Sequence, residues 1–445
     1  MLKHTLLFIA FVGAATSAMA GETVESILAR IKPPEFPNRD FLITDYGARQ
    51  DSDSGEAIRA AILACHEAGG GRVVIPKGTF LTGAVHLKSH VNLHLSEGAT
   101  LKFDTDPEKY PLVHTRWEGV ECMNYSPLIY SYEQDNIAIT GSGTLDGSAT
   151  SKNWLRWKAT KPALQTPGRT KLFQMGEDGV PVAERIFGSG YYLRPSFIQF
   201  YKGKNFLIEG VTITRSPMWV IHPVLCTNLT VRGVTVNSMG RNNDGCDPES
   251  CKDVLIEDCT FNTGDDCIAI KSGRNNDGRR INVPSENFVI RNCVMKAGHG
   301  GMTIGSEISG GCRNIFVSDI KMDSPNLNQA IRFKSNARRG GTIENIHIRD
   351  VKIGQVKISA ISIELDYEEG AKGSHLPTLR DVLMENITTE SCGQVLNLGG
   401  VPGAVIENIT LKNSTFKGVK KADRISQAEK PTLENVTIEM AKDVP

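Results

Sequence analysis

Asn228-Leu229-Thr230-Val231 and Asp253-Val254-Leu255-Ile256 are two copies of one short phrase: an Asn or Asp, then apolar residues in alternation. Earlier copies are Asn136-Ile137-Ala138-Ile139 and Asn205-Phe206-Leu207-Ile208. Later ones are Asn287-Phe288-Val289-Ile290, Asn314-Ile315-Phe316-Val317, Asn345-Ile346-His347-Ile348, Asp381-Val382-Leu383-Met384, Asn408-Ile409-Thr410-Leu411 and Asn435-Val436-Thr437-Ile438. From Asn205 the copies stand 23, 25, 34, 27, 31, 36, 27 and 27 residues apart. A step of 23 is too short for a strand-helix-strand unit, which needs about 30 residues or more. No helical pattern fills the gaps. Period-two alternation sends the Ile and Val of every copy to one side. Each turn can bury that side only against its neighbours, which describes a solenoid. The expectation is an all-β chain, a parallel β-helix, right-handed by the rule for parallel crossovers. The recurring Asn or Asp suits a turn, where it would stack as a structural ladder.

Outward from the repeat, the chain of 445 residues divides simply. Residues 1–20 read as a cleavable signal peptide. Lys3 and His4 precede an apolar run, and Ala18-Met19-Ala20 supplies the cleavage pattern. No later segment is long and apolar enough to cross a bilayer. The expected mature chain, 21–445, is one β-helix domain, secreted or periplasmic, with no membrane insertion. Ser54 is placed to cap a helix over 56–68, where Ile58, Ala61, Ile62 and Cys65 recur at helical spacing. One short helix followed only by strands suggests a cap on the N-terminal end of the coil.

Fifty basic and fifty acidic residues cancel. There is no global field to attract nucleic acid or an anionic membrane, so recognition must be local. Ten cysteines in an exported chain allow one or two disulfides. Most fall in strand-like runs, where buried thiols are the stronger reading. Their spacing lacks the paired C-x-x-C of a zinc site. Residues 147–195 break the rhythm with a Gly- and Pro-rich loop carrying Trp154, Trp157, Lys158, Arg169, Lys171, Tyr191, Tyr192 and Arg194. It is either a strand-bearing excursion packed on the coil or a wall of a binding cleft.

The chemistry concentrates in 242–334. Asn242-Asn243-Asp244-Gly245, Gly264-Asp265-Asp266, Gly298-His299-Gly300 and Arg332-Phe333-Lys334 follow one another at about coil intervals. Stacked coils would bring three carboxylates, a histidine and two cations onto one face. Glycosidic hydrolysis needs one carboxylic acid to protonate the leaving oxygen and a second carboxylate to attack or to activate water. Crowded carboxylates raise one pKa, and the raised group is a ready donor. Arg332 and Lys334 alternate with Phe333 and so face one side together. A guanidinium there suits a substrate carboxylate.

These four motifs resemble those of the polygalacturonase family: N-T-D, G-D-D or Q-D-D, G-H-G and R-I-K, in this order. The resemblance runs from about residue 41 to the end. It implies inverting hydrolysis of α-1,4-linked galacturonic acid in pectin. Asp265 would be the general acid, with Asp244 and Asp266 holding and deprotonating the water. His299 would assist. Arg332 and Lys334 would bind the galacturonate carboxylate, beside Asn242 and the more loosely matched Tyr367. Asn243 and Phe333 depart from the pattern without touching its polar positions. The 147–195 insert resembles bacterial members, and a loop that blocks one end of a groove would make action exo.

The substrate implied is a pectic polysaccharide or oligogalacturonide, met by a monomer with no cofactor, no metal and no nucleic-acid partner. Two other readings share the fold. A pectate lyase would need calcium and a basic residue to abstract a proton. A β-helical adhesin or carbohydrate-binding protein would need no acid at all.

Overall fold

The computed structural model describes residues 21–442; the expected signal peptide, 1–20, lies outside them. Twenty-six strands join one sheet in which every pairing is parallel. The sheet winds as a right-handed parallel β-helix, as the repeat predicts. Register follows the repeat copy by copy. Ile208 pairs with Val231, Val231 with Ile256, Ile256 with Ile290 and Ile290 with Val317. All five are buried in the main core.

The polar first residue of each copy does form a ladder, and it bends the backbone. Asn287, Asn314 and Asn345 sit at φ of 64°, 58° and 53°, a left-handed conformation that Asn tolerates at single positions. Each Nδ2 donates to the Oδ1 one coil earlier: Asn287 to Asp253 (3.0 Å), Asn314 to Asn287 (2.8 Å) and Asn345 to Asn314 (2.7 Å). An Asp accepts but cannot donate, so the ladder restarts at each one. Asn228, which Asp253 cannot reach with a proton, instead accepts from the Lys32 backbone N–H at 3.0 Å.

Four expectations need correction. Ser54 does not cap the helix Gly55–Glu67 with its side chain; the Asp53 carboxylate accepts from the Gly55 N–H at 3.0 Å instead. That helix is not the only one. Helices Val24–Arg30, Arg156–Ala159, Thr166–Glu177 and Asn275–Ile281 also form. Thr166–Glu177 buries little beyond Leu172 and two glycines, so its apolar period is faint. The insert 147–195 is therefore helical, not strand-bearing. Finally, Asn435 stacks on Asn413, not on Asn408, because the last coil takes 22 residues from that side.

Two features frame the cleft. An antiparallel hairpin, Leu112–Trp117 with Val120–Tyr125, leaves the coil. Its Trp117, Val120 and Cys122 pack with Leu172 and Leu193 of the insert and with Trp219 of the coil, in a second core. The ten cysteines are all buried and unbridged, as small hydrophobes.

The ladder makes a direct expectation. Asn287→Ala should cost about 2–3 kcal/mol, from lost hydrogen bonds at ~1 kcal/mol each and the left-handed backbone at ~1 kcal/mol. Asn287→Gly keeps the conformation and should cost about a third less. Denaturant unfolding of the three proteins measures both.

Candidate active site

Stacked coils bring the acids together. One carboxylate oxygen each from Asp244, Asp265 and Asp266 lies within 4.8 Å of the other two. Asp244 and Asp266 are buried, and Asp265 keeps partial access to solvent. Asp244 follows a tight turn held by Asn243. The Asn243 Oδ1 accepts from Ser238 Oγ (2.7 Å) and the Gly240 N–H (2.9 Å), and its Nδ2 donates to the Met218 carbonyl (3.1 Å). Asn242 beside it accepts from Arg194 Nη2 at 2.7 Å.

His299 lies one coil on. Its Nδ1 is 2.9 Å from Asp265 Oδ1, and its backbone N–H donates to the Asp265 carbonyl at 3.0 Å. The two residues are thus tied twice. Gly300 makes room for the acids: a Cβ there would stand 2.2 Å from Thr303 Oγ1 and 2.8 Å from Asp266 Oδ1. Lys334 and Arg332 face the site while Phe333 is buried in the interior. Lys334 Nζ donates to Asp266 Oδ2 at 2.6 Å, and Arg332 Nη1 stands 3.6 Å from Asp266 Oδ1. Tyr367 lies under both cations, with its ring centre 5.3 Å from Lys334 Nζ and 5.5 Å from the Arg332 guanidinium.

All eight residues singled out by sequence therefore meet in one place. Several others went unmarked. Lys271 is fully buried, 3.3 Å from Glu307, 3.5 Å from Asp247 and 4.0 Å from Asp244. Its Nζ lies 4.4 Å from the centre of the Trp219 ring. Glu364 accepts from Arg332 Nε at 2.6 Å. A signal was present: Lys271 follows Ile268–Ile270 as Lys334 follows Phe333, two coils later in the same column.

Burial, then the facing carboxylates of Asp265 and Asp247, push the Asp244 carboxyl well above the ordinary range. Burial acts the same way on Asp266, but Lys334 and Arg332 overcome it and hold Asp266 below that range. The hydrogen bond to Asp265 raises His299. Among the three acids of the trio, burial and repulsion raise Asp244, and nearby Asp247 rises with it. A divalent cation could use the three oxygens, yet Asp266 already has a lysine and an arginine for counter-ions.

A wall of ion pairs borders the cleft. Glu118, at the hairpin tip, accepts from Arg169 Nε of the insert at 2.9 Å. Arg274 bonds Glu307 at 3.0 Å and reaches Glu368 at 3.4 Å. Both guanidinium groups stack on Phe173, at 4.6 and 3.9 Å. The cavity between this wall and the acids encloses about 110 Å³.

Residues 190–436 match glycosyl hydrolases family 28. The chain belongs to that family. Among family 28 relatives, it is 27% identical over 375 residues to a probable polygalacturonase of Vitis vinifera, covering 80% of this chain and 69% of that one. It is 26% identical to the exo-poly-alpha-D-galacturonosidase of Dickeya chrysanthemi, over 74% of this chain and 57% of that one. Among solved structures, a hyperthermoactive exopolygalacturonase from Thermotoga maritima superposes with a TM-score of 0.89 at 42% identity, covering 94% of this chain and 95% of that one.

Asp244 gives this family 28 site a measurable signature. A raised folded-state pKa contributes stability at low pH that is lost as pH rises through the folded value. Asp244→Asn removes that penalty. Its melting temperature should exceed wild type by about 1–3 °C at pH 8, and the gap should close towards pH 4. Thermal unfolding at the two pH values checks it.

Proposed function

We propose that the protein hydrolyses α-1,4-linked galacturonic acid bonds of pectin, working from chain ends. The observation that carries the reading is the acid trio set beside Lys334, Lys271 and Arg332 in one cleft. Drug-sized ligand sites enclose roughly 300–1,000 Å³. The cavity beside the acids is smaller, about 110 Å³, and opens to solvent. The exo-acting relatives support action from chain ends.

In this reading Asp265 protonates the leaving oxygen. It is the acid open to the cleft, with His299 holding its carboxylate in place. Asp244 and Asp266 hold the water. Asp244 Oδ1 and Asp266 Oδ1 are buried acceptors with no hydrogen-bond partner among the described residues, suited to the two protons of one water molecule. A raised Asp244 is a stronger base when ionised, and Asp266 stays ionised beside Lys334. Lys334 spends one of three donors on Asp266 and can still meet a substrate carboxylate with Arg332, Tyr367 and Asn242 around it. Export to the periplasm or the medium fits a polymeric substrate; no helix among the described residues is long and apolar enough to cross a membrane.

Inverting glycosidases usually separate acid and base by about 6.5–9.5 Å, and this site is tighter. Inversion requires the water held by Asp244 and Asp266 to reach the anomeric carbon from the face opposite the bond that Asp265 protonates. Asp265→Asn should lower kcat about 10²–10⁴-fold with KM little changed. Time-resolved digestion of polygalacturonate should release monomer first, as the β-anomer by proton NMR. A first-formed α-anomer would make one of the paired acids a nucleophile. An ultraviolet-absorbing unsaturated product would replace hydrolysis with elimination.

A further inference from the structure

Five cations line the cavity: Lys158, Arg169, Lys271, Arg274 and Lys334. Four of them are already matched to acids of the chain. Arg169 has Glu118 at 2.9 Å, Lys271 has Glu307 at 3.3 Å, Arg274 has Glu307 at 3.0 Å and Lys334 has Asp266 at 2.6 Å. Lys158 alone has no carboxylate within 4.0 Å and no hydrogen-bond partner for its Nζ among the described residues. It is half-buried, on the short helix Arg156–Ala159 of the insert. A half-buried ammonium without a counter-ion costs free energy that a ligand anion can return.

The geometry points to Lys158 as the residue that takes the carboxylate of the terminal galacturonate, so that the insert reads the acid of the chain end. The inference rests on the galacturonan reading above and deepens it. Its neighbours agree with the assignment. Burial lowers the Lys158 pKa, and Arg169, Arg194 and Arg241 lower it further against the pull of Glu118. Arg194 brings positive charge near Lys158 without competing for the ligand. It is fully buried and spends its donors on neutral oxygens of Gln165, Pro217, Arg241 and Asn242. The residue is placed by packing: Trp157, its neighbour in sequence, meets Trp154 at 4.7 Å and Tyr192 at 5.4 Å between ring centres.

The test uses full-length enzyme, trigalacturonate and trigalacturonate methyl-esterified at the terminal unit that enters the pocket. Lys158→Met keeps most of the aliphatic stem and removes the charge. KM for trigalacturonate should rise about tenfold while kcat falls less than about threefold; Lys158→Arg should recover most of the loss. On the esterified substrate wild type and Lys158→Met should differ by less than twofold. Inhibition by free galacturonate should weaken in Lys158→Met in the same proportion. An unchanged KM on trigalacturonate, or an equal loss on both substrates, overturns the assignment. If Lys158→Met does not fold, Lys158→Gln and the inhibition constant of Lys158→Arg decide it by the same criteria. Wild-type enzyme that releases nothing from trigalacturonate would instead sink the hydrolase reading, an outcome independent of Lys158.

Discussion

Everything at this site depends on parallel register. Adjacent strands lie about 4.8 Å apart, so each coil advances the chain by less than the reach of one side chain. Ile270 pairs with Ile304, and Ile304 with Phe333. Residues separated by tens of positions therefore become neighbours in a fixed order. The Asn ladder and the Ile and Val columns hold that order from opposite sides of the same strands. A slip of one residue would turn Arg332 and Lys334 inward and Phe333 out.

On that frame the protein assembles charge in layers. Carboxylates meet cations one or two coils away: Asp247 with Lys271, Asp266 with Lys334, Glu364 with Arg332. The matching is uneven by location. Asp266 has two cations close by, whereas Asp244 faces other acids in a buried position. Such an arrangement strains the folded state and supplies the difference in proton affinity that acid–base chemistry requires. The wall of the cleft follows a different rule. There Glu118, Glu307 and Glu368 tie the hairpin, the insert and the coil into one rim.

Much of this was legible from the amino acids alone. The fold was readable because its signal repeats: one Asn or Asp and one apolar alternation, many times over. The central site was readable for the same reason, since its polar residues interrupt that alternation at coil intervals. What stayed hidden does not repeat. Helix Thr166–Glu177 buries too narrow a stripe to announce itself. The pairing of Asn435 with Asn413 depends on a corner shortened at the last turn. Lys271 and Glu307 sit at strand ends without a motif around them, and their meaning appears only when coils are laid over one another. The ionisation of Asp244 is a property of depth and neighbours, which no spacing encodes.

The helix Val24–Arg30 lies on the outer face of the coil. Ile27 and Ile31 cover Leu255 and Val289, and Arg30 holds Asp253 at 2.9 Å, 223 positions away in the chain. The surface it needs does not exist until the middle coils have formed. That helix therefore docks only after coils far along the chain have wound.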